Sequence, residues 1–374
     1  MPKISIIIPI YNVEDYLKQC LDSVVNQTLQ DIEIICINSA SEDNSYQILQ
    51  EYIKKDKRIT VINLTENLGQ GIARNQAIKE ANGEYIIFLD ADDWLELNAC
   101  EIAYNEILKK KCDFVKFAYS KYDENTQNIL EQYSAVDVLI KNSNNSDIRN
   151  TNIDFLRACY SWSQIYNREF LIKNDIKFAN LRLCEDVPFI IKTWITAESF
   201  STIRIPLYYY RINRLKNTTN NTDFWKDIFT SRLLSFDIIQ HSKYPDLIFS
   251  TYFPYCIRTI VNYYMRMSKI NKQVSRAYYK EMKKFFADIY NLTKQNKMNS
   301  EYEQYKTYLN VLRYNYFSYN LSNLLLMLFN LEAKKEKVII TLFGIKISVC
   351  LHNNKAETLV AVERKRESNK PNGL

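Results

Sequence analysis

Short, nearly unbroken apolar runs recur along the front of the chain: Ile4 to Ile10, Ile32 to Ile37, Ile59 to Leu64 and Glu84 to Leu89. Runs this short and continuous suit strands buried on both faces. Between them the apolar spacing turns helical, as at Val13, Leu17, Leu21, Val24 and Val25. A second helix is expected to run to Lys55, with Asp43-Asn44-Ser45 able to cap it. A third is expected from Gln70 to Asn82, with Gly83 closing it. Another helix is expected from Trp94 to Lys110 and a fifth strand from Asp113 to Tyr119. Strands separated by helices imply βαβ units and hence a parallel sheet with right-handed crossovers. Ligands of such sheets sit beyond the carboxyl ends of the strands. That rule selects three loops: Pro9 to Asn12, Asn38 to Asp43, and Asp90 to Trp94.

Composition narrows the class further. A chain of 374 residues that is 47% hydrophobic and 25% charged is globular and long enough for two or three domains, which excludes a disordered or collagenous chain. Only 5 glycines are present, and Gly69-Gln70-Gly71 is no dinucleotide fingerprint, so a nicotinamide cofactor has no support. The 8 cysteines form no Cys-x-x-Cys pair, so neither a zinc site nor a disulfide framework is expected, and a reducing cytoplasm is. No apolar run reaches the roughly 18 residues that span a bilayer, and the N-terminus lacks the pattern of a signal peptide. Charge is uneven: residues 1–215 carry 24 Lys+Arg against 30 Asp+Glu, and residues 216–374 carry 25 against 13. The basic back half is either a solvated face or one that meets an anionic surface. No dense Arg/Lys stripe marks a nucleic-acid footprint.

The selected loops carry chemistry. Asp90, Asp92 and Asp93 end a buried strand, where alternate carboxylates can share a hard cation such as Mg²⁺ or Mn²⁺ together with substrate phosphates. The alternative is a cap for the next helix, which needs one Asp rather than three. Glu185-Asp186, set among apolar residues, is a candidate general base or, alternatively, a cap followed by Pro188 in the first turn. Arg74 is either an ion-pair partner or a ligand contact. Arg211 and Arg214 follow a tyrosine run and suit a diphosphate clamp, or are surface charges beside packed rings.

Four segments, in order, resemble the family 2 glycosyltransferases: Ile4 to Leu17; Asn67-Leu-Gly-Gln-Gly-Ile-Ala-Arg-Asn75; Gly83 to Trp94 with its Asp-x-Asp; and Glu185-Asp186 with Phe189. The resemblance covers residues 3–214. It implies the GT-A fold, a Rossmann-like, mostly parallel sheet flanked by helices, followed here by a helical C-terminal region. It also implies an inverting transfer from a nucleotide-diphospho-sugar, most commonly a UDP-sugar. Carried over residue by residue, Pro9, Tyr11 and Glu14 would shape the nucleoside pocket. Asp90 would lie at the ribose, Asp92 would bind Mn²⁺ or Mg²⁺ with Asp93 nearby, and Asp186 would deprotonate the acceptor hydroxyl. Arg211 or Arg214 would offset charge on the leaving diphosphate. The family's usual base-reading Asp and loop Gly after the second strand are missing. The loop reads Asn38-Ser-Ala-Ser-Glu-Asp43, leaving Asn38 or Ser39 to meet the base.

The expected organisation is a transferase domain over 1–215, a basic, Tyr-rich helical domain over 216–335, and a short strand/turn segment with a disordered basic tail over 336–374, the segment from Val338 to Val349 reading as strand-turn-strand or one long strand around Gly344 and the tail starting at Glu363. The boundary near 215 rests on the charge shift and on Asn217 to Asn221. Apolar stripes at helical spacing run from Phe249 to Tyr264 and from Tyr302 to Tyr319. Leu321 to Leu331, followed by Lys334, Lys335 and Lys337, suits peripheral contact with the cytoplasmic face of the inner membrane. The acceptor expected by association is a bacterial surface glycan or glycolipid, as in lipopolysaccharide or capsule synthesis. The competing readings are a family member that binds nucleotide-sugar or glycan with weakened turnover, and a non-enzymatic membrane-surface protein. Nothing in the sequence specifies an oligomeric state.

Overall fold

A computed structural model of the chain describes residues 1–133, 160–214 and 224–243, single helical positions between 252 and 289, and three strands within 337–364. The chain divides into two units, Met1–Asn291 and Leu292–Leu374. The first unit takes in both sides of residue 215.

The first unit is built on a nine-stranded sheet. Its strands are β1 (Ile4–Ile10), β2 (Ile32–Ser39), β3 (Ile59–Leu64), β4 (Tyr85–Phe88), β5 (Trp94–Leu95), β6 (Phe114–Asp123), β7 (Asn128–Tyr133), β8 (Gln164–Asn167) and β9 (Phe200–Ile212). The order is β3-β2-β1-β4-β8-β6-β9-β5, with β7 paired to β6. The strands β3, β2, β1 and β4 are parallel to one another, as the alternation of strand and helix requires. Beyond β4 the sheet is mixed. The fifth expected strand does not pair with the fourth: β8 lies antiparallel between β4 and β6, and β9 then runs parallel to β6. Nothing local in Gln164–Asn167 announces this insertion, because a four-residue strand carries too little periodicity to be read.

The helices described beside the sheet are α1 (Glu14–Val25), α2 (Ser45–Lys55), α3 (Gln70–Glu80), α4 (Ala99–Lys110), α5 (Arg168–Lys173), α6 (Asp186–Thr196) and α7 (Asp227–Gln240). Helix α1 buries Leu17, Cys20, Leu21 and Val24 against strands whose isoleucines are themselves fully buried. Two expectations change. The segment from Trp94 begins as strand β5, pairing Trp94 with Tyr209, and the helix starts only at Ala99. Gly83 is not a left-handed helix terminator. It is required because a Cβ there would lie 2.5 Å from Ser5 N, where the chain crosses β1.

The first unit also contains helical positions at Tyr252, Phe253, Cys256 and Ile260, all buried and part of the stripe expected from 249 to 264. In the second unit, β10 (Lys337–Leu342), β11 (Ile345–Cys350) and β12 (Ala361–Arg364) form an antiparallel sheet, so of the two readings of Val338 to Val349, strand-turn-strand or one long strand, the first is what the structure shows, with a third strand added. The Asn217 to Asn221 stretch, the tyrosines from 302 to 319, the Leu321 to Leu331 segment with Lys334 and Lys335, and the tail beyond 364 lie outside the described residues. Among the described residues no helix is long and apolar enough to cross a membrane.

Candidate active site

Register aligns the carboxyl ends of the central strands. Ile10 pairs with Asn38, and Ile7 pairs with Phe88, two residues before Asp90. The first two loops are laced together. Asp43 Oδ2 accepts from Glu14 N (3.0 Å), so it caps α1 from the neighbouring crossover, while its Oδ1 accepts from Ser45 N (2.9 Å). Partial burial works against the charge, but hydrogen bonds from Ser45 and Glu14 hold the Asp43 carboxyl below its ordinary range. Ser45 Oγ accepts from Val13 N (3.0 Å), Asn12 Oδ1 from Glu42 N (2.8 Å), and Glu14 Oε2 from both nitrogens of Asn44. Pro9 is buried at the end of β1, and Tyr11 is 43% exposed at the loop crest. Asn38 and Ser39 are buried. Asn38 Nδ2 donates to Asn63 Oδ1 (3.0 Å) and its Oδ1 accepts from Ser41 N (3.2 Å), so this side chain ties β2 to β3 and to its own loop.

The centre of the site is Arg74 on α3. Its guanidinium is 2% exposed and donates to Asp90 Oδ1 (2.5 Å), Gln70 Oε1 (2.8 Å) and Glu185 Oε1 (2.8 Å). It also lies 5.1 Å from the centre of the Phe178 ring. Burial disfavours its charge, but Asp90, Glu185 and Asp186 outweigh that and raise its proton affinity. One buried cation thus joins two segments more than ninety residues apart in sequence, the Asp90 loop and the Glu185 loop. The glycines of α3 permit the approach. Gly69 sits at φ +95, and a Cβ on Gly71 would lie 2.6 Å from Ala179 O and 3.0 Å from Glu185 Cγ.

Asp186 opens α6 beside this ion pair. Its carboxyl accepts no hydrogen bond from any described residue. Burial, and then the neighbouring Glu185, push its pKa up to about 8, while Arg74 and Arg232 act the other way. Glu185 is also raised by burial, with Arg74 opposing. Neither residue caps α6 with its side chain.

The three aspartates of the 90–93 loop face three different partners. Asp90 faces Arg74. Asp92 Oδ2 pairs with Arg214 Nε at 2.5 Å, at 14% and 12% side-chain exposure. Asp93, 1% exposed, accepts from Tyr208 Oη (2.6 Å) and Arg211 N (2.8 Å). Burial raises the Asp92 pKa, with Arg214 opposing; burial and the two neighbouring aspartates raise Asp93 further. A helix cap accounts for none of them, since the next helix starts at Ala99. Arg211 lies behind the loop: its Nε donates to Asp92 O (2.7 Å), its other nitrogens reach Glu124 and Gln19, and the ring centres of Tyr16, Trp94 and Tyr122 lie about it. The structure therefore brings the Arg214 guanidinium, and not that of Arg211, to the Asp92 carboxylate.

No described group of three or more His, Cys, Asp or Glu forms a ready cation cage. The donor set still fits a hard divalent ion of the kind held by one or two carboxylates plus substrate phosphates. Asp90 and Asp92 each engage one carboxylate oxygen in an ion pair and retain the other.

Sequence reasoning missed several contributors. Tyr208 and Gln70 carry no distinctive signal. Arg182 donates to Asn67 Oδ1 (2.9 Å) and to Asn67 O, tying the Glu185 loop to the start of α3. Asp227 and Ser231, on α7, hydrogen-bond to the backbone of residues 182–184.

Comparison with known proteins places this geometry. The family model described as Glycosyl transferase family 2 matches residues 5–173. Glycosyltransferase GlyG of Streptococcus pneumoniae is 30% identical over 232 residues, which are 59% of this chain and 74% of that protein. The poly(ribitol-phosphate) beta-glucosyltransferase of Bacillus spizizenii is 34% identical over 220 residues, 57% of this chain and 32% of that one. The chain spans 61% and 62% of the length of two further matching glycosyltransferases from Bacillus subtilis. In fold it is similar to Staphylococcus aureus TarS 1-349 in complex with UDP-GlcNAc, with a TM-score of 0.55 and 24% identity over 66% of this chain and 70% of that one. With the matched span running from β1 through the Asp90 loop to α5, the chain belongs to glycosyl transferase family 2.

Proposed function

We propose that the protein transfers a sugar, with inversion, from a nucleotide-diphospho-sugar to a hydroxyl of a bacterial surface glycan. The observation that carries this reading is Asp186: a carboxyl with no hydrogen-bond donor among the described residues, raised to about 8, beside a buried Arg74 that ties Asp90 to Glu185. A base poised near working pH, with a free oxygen, suits removal of an acceptor proton. The acceptor oxygen then bonds to the anomeric carbon as the bond from that carbon to the diphosphate oxygen breaks. The electron pair leaves with the nucleoside diphosphate, and Asp186 keeps the proton. Arg214 beside Asp92 suits the growing charge on the diphosphate. Arg211 holds the Asp92 backbone and the Asp93 carboxylate in place from behind. Transferases of this fold commonly use a divalent metal. Here Asp92 and Asp90 would hold it, and when bound it would neutralise phosphate charge as a Lewis acid.

A surface-glycan acceptor and a UDP-sugar donor are supported by the relatives' own names, one a poly(ribitol-phosphate) glucosyltransferase and one a fold neighbour carrying UDP-GlcNAc. The proposed setting is cytoplasmic, with the basic region beyond residue 215 facing the inner membrane surface, and the organisation is a transferase part followed by a helical basic part. A second reading, weakened turnover, is favoured by Asn38, whose amide is committed to Asn63 and Ser41 and offers no carboxylate to a base.

Calorimetric titration with UDP, GDP, CDP and dTDP, with and without Mn²⁺, tests the donor site. UDP should bind with metal, and Asp92→Ala should abolish that. UDP release from UDP-glucose or UDP-N-acetylglucosamine should be lost in Asp186→Ala. Binding without release supports the second reading, and no binding of any nucleotide overturns both.

A further inference from the structure

We propose that Asp227 and Ser231 on α7, beyond the span matched by the family model, are positioning residues that hold the loop presenting Glu185 and Asp186. The proposal rests on the reading of Asp186 as the base. Asp227 Oδ2 accepts from two successive amides, Arg182 N (2.7 Å) and Leu183 N (3.2 Å). Ser231 Oγ, one turn further along the same helix face, donates to Cys184 O (2.7 Å). The backbones of three consecutive residues directly before Glu185 are thus held by one helix.

That loop needs fixing from outside. Cys184 sits at φ 60, a left-handed conformation that a residue with a Cβ adopts at a cost of order 1 kcal/mol or more and keeps only when its surroundings impose it. No strand ladder reaches residues 181–185. On the other side the Arg182 side chain is anchored to Asn67 at the start of α3. The loop is therefore stretched between α3, which supplies Arg74 to the site, and α7. Ser231 is fully buried, and next to it Arg232, 2% exposed, has Nε and Nη1 without hydrogen-bond partners among the described residues. Leu183 and Ser231 are buried and Asp227 is half-buried, so the three hydrogen bonds are partly shielded from water. The Glu185 end of the loop is held by Arg74, but Asp186 has no such tether, and its placement depends on the backbone before it. A displacement of about 1 Å at a catalytic group can cost on the order of 10²-fold in rate.

Hydrogen exchange of the full-length protein, followed by mass spectrometry over residues 180–187, tests the clamp directly. In Asp227→Ala the Arg182 and Leu183 amides should exchange at least about tenfold faster. Asp227→Asn should restore most of the protection, because an amide oxygen still accepts both bonds. UDP release from UDP-N-acetylglucosamine should fall about 10- to 100-fold in kcat in Asp227→Ala, with the donor KM within about threefold. Ser231→Ala, which removes one buried hydroxyl, should show the same split to a smaller degree and serves if Asp227→Ala does not fold. Wild-type exchange in both variants overturns the proposal. So does a loss of kcat in Asp227→Asn as large as in Asp227→Ala. If the wild type releases no UDP while the alanine variant still loosens residues 180–187, the transferase reading fails and the clamp stands.

Discussion

Asp186→Asn should make the protein less active and more stable, and the gain in stability should depend on pH. The Asp186 carboxyl is raised by burial and by Glu185 from the ordinary aspartate range to about 8. In the unfolded chain it titrates near 3.9. Between these two values the native state holds a proton that the unfolded state has released. Stability tied to this group is therefore complete below about pH 4 and falls as pH rises through about 8. At about 1.4 kcal/mol per tenfold change in proton affinity, the cap is roughly 5 to 6 kcal/mol. Asp186 is partly open to solvent and shares its field with Glu185 and Arg74. About half that cap, or about 2 to 3 kcal/mol, is the expected effect. An asparagine cannot ionise and escapes the penalty. Thermal unfolding of the wild type and Asp186→Asn from pH 5 to 9 should show the variant gaining steadily and levelling off above about pH 8. At 2–4 °C per kcal/mol for a domain of this size, the gap at the alkaline end is about 4 to 12 °C. Activity of the wild type should rise with pH over the same range, because the base acts only when deprotonated. Equal melting temperatures at pH 9, or a gap that is constant with pH, would refute the argument that this carboxyl carries a desolvation penalty held for catalysis.

Other perturbations separate structural from binding roles. Arg74→Met should cost about 3 to 5 kcal/mol in urea unfolding, since it leaves Asp90 and Glu185 facing each other without a counter-ion; a loss under about 1 kcal/mol argues against a buried keystone. Arg211→Met and Arg214→Ala should both lower the melting temperature, since each removes a largely buried guanidinium from the aspartate loop, but only Arg214→Ala should also weaken UDP binding about tenfold or more by calorimetry. Asn38→Ala should lose about 1 kcal/mol per severed hydrogen bond in denaturant titrations while changing UDP affinity less than about threefold, because its amide faces Asn63 and Ser41. A large loss of affinity would make Asn38 the base reader.

The parallel part of the sheet was legible because β1, β2 and β4 are buried on both faces and so appear as apolar runs of the right length. The three loops at their carboxyl ends followed from that geometry, the Asp90 to Trp94 loop among them, whereas Asp186 was singled out only as half of an acid pair among apolar residues and by the family resemblance. What the sequence could not give is pairing between carboxylates and cations. Arg74 was as consistent with a ligand contact as with an ion pair, and only the fold shows it within 2.8 Å of a residue 111 positions away. Arg211 and Arg214 look equivalent in sequence, three apart after the same tyrosine run. Yet Asn213, at φ 62 between them, breaks the strand alternation, leaving one guanidinium behind the aspartate loop and the other at its face. The glycines make the same point differently. Gly69 and Gly71 read as a failed dinucleotide fingerprint, but their function is to let the Glu185 loop touch α3. Each of these features serves one task, bringing the 90–93 loop and the 182–186 loop together across α3. That task explains why burial there is so polar: Arg74, Asp93 and Arg211 are each at most 4% exposed. An apolar junction of the same shape would cost less to fold but could not raise one carboxyl to about 8 while keeping its neighbour ion-paired.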